Sequence, residues 1–185
     1  MKRKNQLSIV SIVAMGISAA LFFVLGRFAA IPTFIPNTTI NIQYAVLALF
    51  AVVYGPLVGV YAGFIGHTLV DLSWGSPWWS WIIASAVFGL IVGTCRKWIY
   101  VSGASFETSE IIKFNIVQII AHCIAWGVVA PTLDILIYNE PIEKLYAQGI
   151  LAGTSNAFTT GVIGSILLIA YSKTKTKKGS LQKEA

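Results

Sequence analysis

Long apolar blocks, separated by short polar or proline-rich stretches, run through most of this chain. They predict helices at roughly 7–26, 41–54, 56–73, 78–97, 110–131 and 147–172, each near or somewhat below the ~20 residues that cross hydrocarbon. The second block is the shortest. Gly55-Pro56 closes it and opens the third, because proline is well tolerated in the first turn of a helix. No strong internal repeat of the kind that marks an inverted-repeat secondary transporter is visible.

Small residues recur at four-residue steps inside these blocks: Ala14 to Ser18, Gly16 to Ala20, and Gly55 to Gly59 to Gly63. Such steps let helices touch in lipid, so association with other helices is the first function the residues suggest.

Composition sharpens the class. Of 185 residues, 56% are hydrophobic and 11% charged, against about 45–50% and about 25% in soluble domains. The expectation is an all-α integral membrane protein, one membrane domain over residues 1–185, with room for six spans and none for a soluble catalytic or ATPase domain. The net charge of +6 gathers at block ends (Lys2, Arg3 and Lys4; Arg96, Lys97 and Lys113; Lys173, Lys175, Lys177 and Lys178). This positive-inside pattern puts both termini in the cytoplasm and fits membrane topology better than nucleic-acid binding, which would want basic residues interleaved with aromatics. The start, MKRKN followed by an apolar run over residues 7–25, imitates a signal peptide. The run exceeds the usual core of about 7–15 residues and Arg27 follows it, so it reads as an uncleaved first helix.

On this topology residues 27–40, 74–77 and 132–146 face outward. The first of these stretches, stiffened by Pro32 and Pro36, has the length of a lid or binding loop. The Lys-rich tail after Ser172 faces anionic headgroups. Cys95 and Cys123 fall in helices without metal-ligand spacing and read as small hydrophobes.

Polar and aromatic residues collect at the outer ends of the helices. His67 and Asp71 lie four apart on one helical face and can bond to each other or jointly face a cavity. They are equally compatible with headgroup-level and packing roles. With no third ligand at suitable spacing, they make no metal site. Trp74, Trp78, Trp79 and Trp81 crowd the same rim, as an interfacial belt or, where one turns inward, as a stacking surface for a planar ligand. The fifth helix carries Asn115, Gln118, His122 and Trp126 on one stripe. The sixth places Gln148, Thr154, Ser155, Asn156, Thr159 and Thr160 in its outer half. Each is either a helix-to-helix hydrogen bond or a ligand contact, and His122 with Asn156 is the preferred inward pair. The predicted substrate contacts are therefore His67, Asp71, Trp78, Trp79, His122 and Asn156, in a pocket suited to an uncharged or weakly charged heterocycle. No P-loop, HExxH or GxSxG motif points to an enzyme.

In the order SAALFFVLGRF, IPTFIPNTTINIQYAVLALF, VYGPLVG, GFIGHTLVDLSWGSPWWSW and FGLIVG, the whole chain resembles the substrate-binding S components of energy-coupling factor (ECF) vitamin transporters, in particular the UPF0397 family. The resemblance implies a six-helix protein of the cell membrane that captures a vitamin or precursor from outside, with the first loop closing over the site. It implies no cofactor in this chain: ATP would be used by two cytoplasmic ATPases that join a transmembrane coupling subunit. The family's docking surface, an AxxxA step on the first helix, would here be carried by Ala14 to Ser18 or by Gly16 to Ala20. Hydroxymethylpyrimidine is the preferred ligand and riboflavin the alternative. A self-sufficient carrier driven by protons through His67, Asp71 or His122 is the principal rival, followed by an intramembrane enzyme and a purely structural subunit.

Overall fold

The structure, a computed structural model, describes residues 8–99 and 106–175. The flanking basic residues Lys2, Arg3, Lys4, Lys177 and Lys178 lie outside the described residues.

Helix α1 (Ile9–Phe28) starts where the Ser8 hydroxyl accepts the Ser11 amide at 3.0 Å, filling one of the orphan donors of the first turn. A short antiparallel hairpin follows, β1 (Ile31–Pro32) against β2 (Thr39–Ile40), with Ile31 opposite Ile40 and Pro32 opposite Thr39. Its turn passes through Asn37 in the left-handed region, φ 59°, which asparagine tolerates better than most residues. The Thr33 hydroxyl closes it on the Thr38 carbonyl at 2.7 Å. Helix α2 (Gln43–Tyr54) then meets α3 (Pro56–Trp74) across Gly55, whose φ of 100° excludes other residues without strain.

Helix α4 (Trp79–Thr94) gives way at Cys95 to the single turn α5 (Arg96–Ile99). A reciprocal capping box between Glu107 and Glu110 opens α6 (Thr108–Ile124). A π-helical turn, Ala125–Val129, joins it to α7 (Ala130–Tyr138), and Asn139, at φ 52°, ends the rod. The last rod is α8 (Ile142–Thr159), a second π turn at Thr160–Gly164, and α9 (Ser165–Lys173).

Among the described residues, then, the chain is a bundle of helices with one two-stranded hairpin at its rim. Three rods, Ile9–Phe28, Thr108–Tyr138 and Ile142–Lys173, are long and apolar enough to cross a membrane, and α2 and α4 are shorter apolar helices. Large apolar side chains such as Val13, Ile17, Leu136, Phe158 and Ile166 face outward, the inverse of a water-soluble surface. The core is built on Phe22, Tyr44, Leu47, Phe88, Phe114 and Trp126.

Several boundaries differ from the sequence expectation. The fourth helix stops at Thr94 instead of 97. The fifth starts at Thr108 and continues through Pro131 to Tyr138, so the outward stretch expected at 132–146 shrinks to 139–141 and the sixth helix begins at Ile142. A proline inside a helix clashes with the carbonyl four residues back. Here the preceding turn is π-helical and wider, so the rod continues.

The small-residue steps divide by location. Gly59 and Gly89 meet face to face: a Cβ added to either would run into the backbone carbonyl of the other. Gly63 lies as close to the Ser85 carbonyl, and Gly93 abuts Pro56. The Gly55–Gly59–Gly63 step therefore joins α3 to α4 within the chain. On α1, Ala14 and Ser18 are buried, with the Ser18 hydroxyl donating to the Ala14 carbonyl at 2.6 Å. Gly16 and Ala20 are exposed, and nothing lies within 4 Å of where a Cβ on Gly16 would sit.

Candidate functional site

A cavity of about 610 Å³ opens at the hairpin end of the bundle, within the range of about 300–1,000 Å³ typical of small-molecule sites. The hairpin residues Thr33 to Thr39 form its roof, and the ends of α1 and α3, the start of α2, and one face of α8 form its walls. Two hydrogen bonds tie the roof segment down to α8: Gln148 Nε2 donates to the Pro36 carbonyl at 2.8 Å, and the Thr159 hydroxyl to the Asn41 carbonyl at 2.6 Å.

The polar floor is a connected set. Tyr44 OH and His67 Nδ1 converge on the Ser85 hydroxyl at 2.9 and 2.6 Å, and His67 Nε2 lies 3.4 Å from Asp71 Oδ1. The other Asp71 oxygen accepts the Trp78 amide at 2.8 Å and so holds the start of α4. Three further side-chain amides lining the cavity, those of Asn41, Gln43 and Asn156, have buried oxygens with no hydrogen-bond partner among the described residues. For Asn41 the amide orientation is fixed, because Nδ2 donates to the Thr39 carbonyl and hydroxyl at 3.3 and 2.8 Å. Gly26 makes room for Gln43: a Cβ at 26 would overlap the Gln43 amide oxygen. Buried polar atoms are nearly always paired, so the Asn41 oxygen as an acceptor, with the Gln43 and Asn156 amides able to turn either end inward, marks a place for a molecule that brings hydrogen-bonding groups.

The aromatic wall is Tyr44, Trp78, Trp81 and Trp126. Trp81 and Trp126 lie with centroids 5.1 Å apart, and Tyr44 packs edge-on to Trp126 at 5.5 Å. Trp78 is stacked on Tyr138 at 4.2 Å. At the rim, Lys144 is paired to Glu140 at 2.7 Å and the Arg27 guanidinium sits 4.0 Å from the Trp74 ring centre. Among the described residues no group of three His, Cys, Asp or Glu is placed to hold a metal ion.

The family model described as "ECF-type riboflavin transporter, S component" matches residues 6–173. The chain belongs to this family. S components are membrane-embedded transporter subunits rather than a class of enzymes, and the long apolar helices agree with a multi-pass membrane protein. Three similar full-length proteins are each called "UPF0397 protein". The one from Clostridium perfringens is 54% identical over 183 residues, covering 98% of this chain and 99% of the relative. That from Streptococcus gordonii is 52% identical over 178 residues, 96% of this chain and 95% of the relative. That from Enterococcus faecalis is 47% identical over 182 residues, 98% and 100%.

In this S component, four of the six residues expected at the site, His67, Asp71, Trp78 and Asn156, line the cavity. Trp79 does not; it is 43% exposed and stacks on Phe64 outside the bundle at 6.3 Å. His122 lies one layer below, fully buried against Tyr44 and Phe88. Its Nδ1 accepts the Trp126 indole N–H at 3.0 Å. An indole can only donate, so the neutral ring carries its hydrogen on Nε2, facing the Thr160 hydroxyl at 3.2 Å. Adding a second proton would set two N–H groups against each other.

Asn41, Gln43 and Tyr44 are absent from the expected contacts, because the hydropathy pattern makes them the opening of an apolar helix. The run Asn-Ile-Gln-Tyr at its start is the available signal. Asp134 is absent as well, because it falls in a stretch expected to be an outer loop. It is buried on α7, where one carboxylate oxygen accepts the Trp78 indole at 2.6 Å and the Ser80 hydroxyl, and the other accepts the Trp81 indole at 2.9 Å.

Proposed function

We propose that this S component captures a small planar heterocycle at the outer face of the cell membrane, hydroxymethylpyrimidine being the substrate. The observation that carries the reading is the coincidence, in one cavity under one hairpin, of a wall of indoles with three side-chain amides whose buried oxygens have no partner among the described residues. An aminopyrimidine bearing a hydroxymethyl group presents amine and hydroxyl donors around a flat ring, which answers the acceptor at Asn41 and the amides of Gln43 and Asn156 and stacks on Trp78 or Trp81. Riboflavin is the second reading, favoured by the description of the matching family model; its ring system is also flat and its hydroxyl chain also donates.

The reading includes six spans with both termini cytoplasmic. The helical rods are supported by their lengths, and Arg96, Lys97 and Lys113 lie at the ends of elements remote in sequence from the hairpin. Uptake requires the ECF coupling subunit and its two ATPases, which consume the ATP; this chain contributes capture and no catalysis. Docking uses the exposed Gly16–Ala20 step of α1, since Ala14 and Ser18 are already covered. An autonomous proton-driven carrier using His67, Asp71 or His122 is the remaining reading, and it alone requires accumulation by this chain without the other subunits.

The deciding experiment is mass spectrometry of the compound retained by gently purified protein, followed by titration with hydroxymethylpyrimidine and riboflavin. Tight binding of the pyrimidine is the expected result; retention of a ligand with neither a flat ring nor several donors would overturn the reading.

A further inference from the structure

Asp134 has the environment of a device rather than of a packing residue. It is 1% exposed, and among the described residues no Lys, Arg or His forms an ion pair with it. Burying a carboxylate is expensive unless hydrogen bonds replace its water. Here the replacement is complete on both oxygens: Trp78 Nε1 at 2.6 Å and Ser80 Oγ on Oδ1, Trp81 Nε1 at 2.9 Å on Oδ2. All three donors come from the start of α4, while the acceptor stands on α7. The two indoles so held are the two that line the cavity from this helix. The neighbouring Tyr138, one turn further along α7, adds a second clasp: its ring stacks on Trp78 and its hydroxyl accepts the Trp79 amide at 2.9 Å.

We infer that Asp134 is a positioning residue of the substrate site, fixing the planes of Trp78 and Trp81 so that the aromatic wall is formed before any ligand arrives. The inference rests on the reading of the cavity as the substrate site. An indole N–H donates and never accepts, so only a group with acceptors on both branches can hold both rings at once. Asparagine has the same shape but turns one branch into a donor, and it must therefore release either Trp81 or Trp78, the Ser80 hydroxyl alone being able to turn and accept.

The test uses the full chain in detergent, with indole N–H groups labelled with ¹⁵N and resolved by NMR, and with peaks assigned from Trp78→Phe and Trp81→Phe. In Asp134→Asn at least one of the two indole resonances moves toward the position of a free indole, without ligand present. Titration with hydroxymethylpyrimidine and with riboflavin then shows about tenfold or greater weakening of whichever binds the wild type. Placed in a Trp81→Phe and Trp78→Phe background, Asp134→Asn has little further effect on affinity. Unmoved indole resonances, or moved resonances with unchanged affinity, overturn the inference. If Asp134→Asn does not fold, the wild type without ligand replaces it: Trp78 and Trp81 indole resonances both displaced from the free-indole position, with slowed N–H exchange, support the inference, and either resonance at the free position overturns it. If neither compound binds the wild type, the substrate reading fails separately, and the indole shifts alone decide whether Asp134 holds the wall.

Discussion

Asn156 and Trp81 let the site be tested one side chain at a time. The Asn156 amide oxygen is buried beside the cavity, so Asn156→Ala removes a polar group that has no hydrogen-bond partner on that oxygen among the described residues. A hydrogen bond to a neutral group contributes about 0.5–1.5 kcal/mol net, so calorimetry should find up to about tenfold weaker binding with the fold intact. Trp81→Ala should weaken binding more, because it removes a stacking face that also packs on Trp126. Trp79→Ala should leave affinity unchanged, since that ring lies outside the cavity on Phe64. Equal losses for Trp79 and Trp81 would mean that the cavity is not where the ligand sits. At this scale sequence alone reached about as far as chemistry allows. The i, i+4 spacing of His67 and Asp71 placed both on one face, and both line the cavity. Which of several adjacent tryptophans turns inward depends on the phase at which α4 begins, and that is set by the Asp71–Trp78 bond across the turn between α3 and α4.

At the scale of elements, the hydrophobic blocks were long enough to reveal the rods, and the ends were obscured wherever a local rule was overridden. Pro131 signals a stop, but a π turn just before it accommodates the ring; nothing in a hydropathy profile announces that turn. The glycine steps were legible as helix contacts but not as to partner. Close approach inside the chain and close approach to another protein use the same residues. In the structure Gly59 and Gly63 are in contact within the chain while Gly16 is uncovered, and thermal melting in detergent checks that difference. Gly59→Ala or Gly89→Ala drives a methyl into the facing backbone and should cost about 1–3 kcal/mol, lowering the melting temperature. Gly16→Ala meets open space and gains helix propensity, so its melting temperature should be equal or higher. A neutral Gly89→Ala would mean that α3 and α4 are not in backbone contact.

For the whole molecule, the proposed function puts capture and docking on different surfaces. The cavity is enclosed by the hairpin, α3, α4 and α8, whereas Gly16 and Ala20 look outward from the middle of α1 and touch none of it. A bulky residue at Gly16 should therefore spare the first activity and damage the second. Membranes containing the Gly16→Leu protein together with the coupling subunit and ATPases should bind hydroxymethylpyrimidine with wild-type affinity, co-purify poorly with the coupling subunit, and accumulate little of the compound. Ala14→Leu, by contrast, forces a side chain into a buried contact within the chain and should lower stability and binding together. Accumulation at the wild-type rate by Gly16→Leu would remove α1's outer face from the docking surface. Accumulation by wild-type S component in vesicles lacking the other subunits would be more damaging still. It would favour a carrier driven by protons through His67, Asp71 or His122 over a capture subunit that depends on its partners.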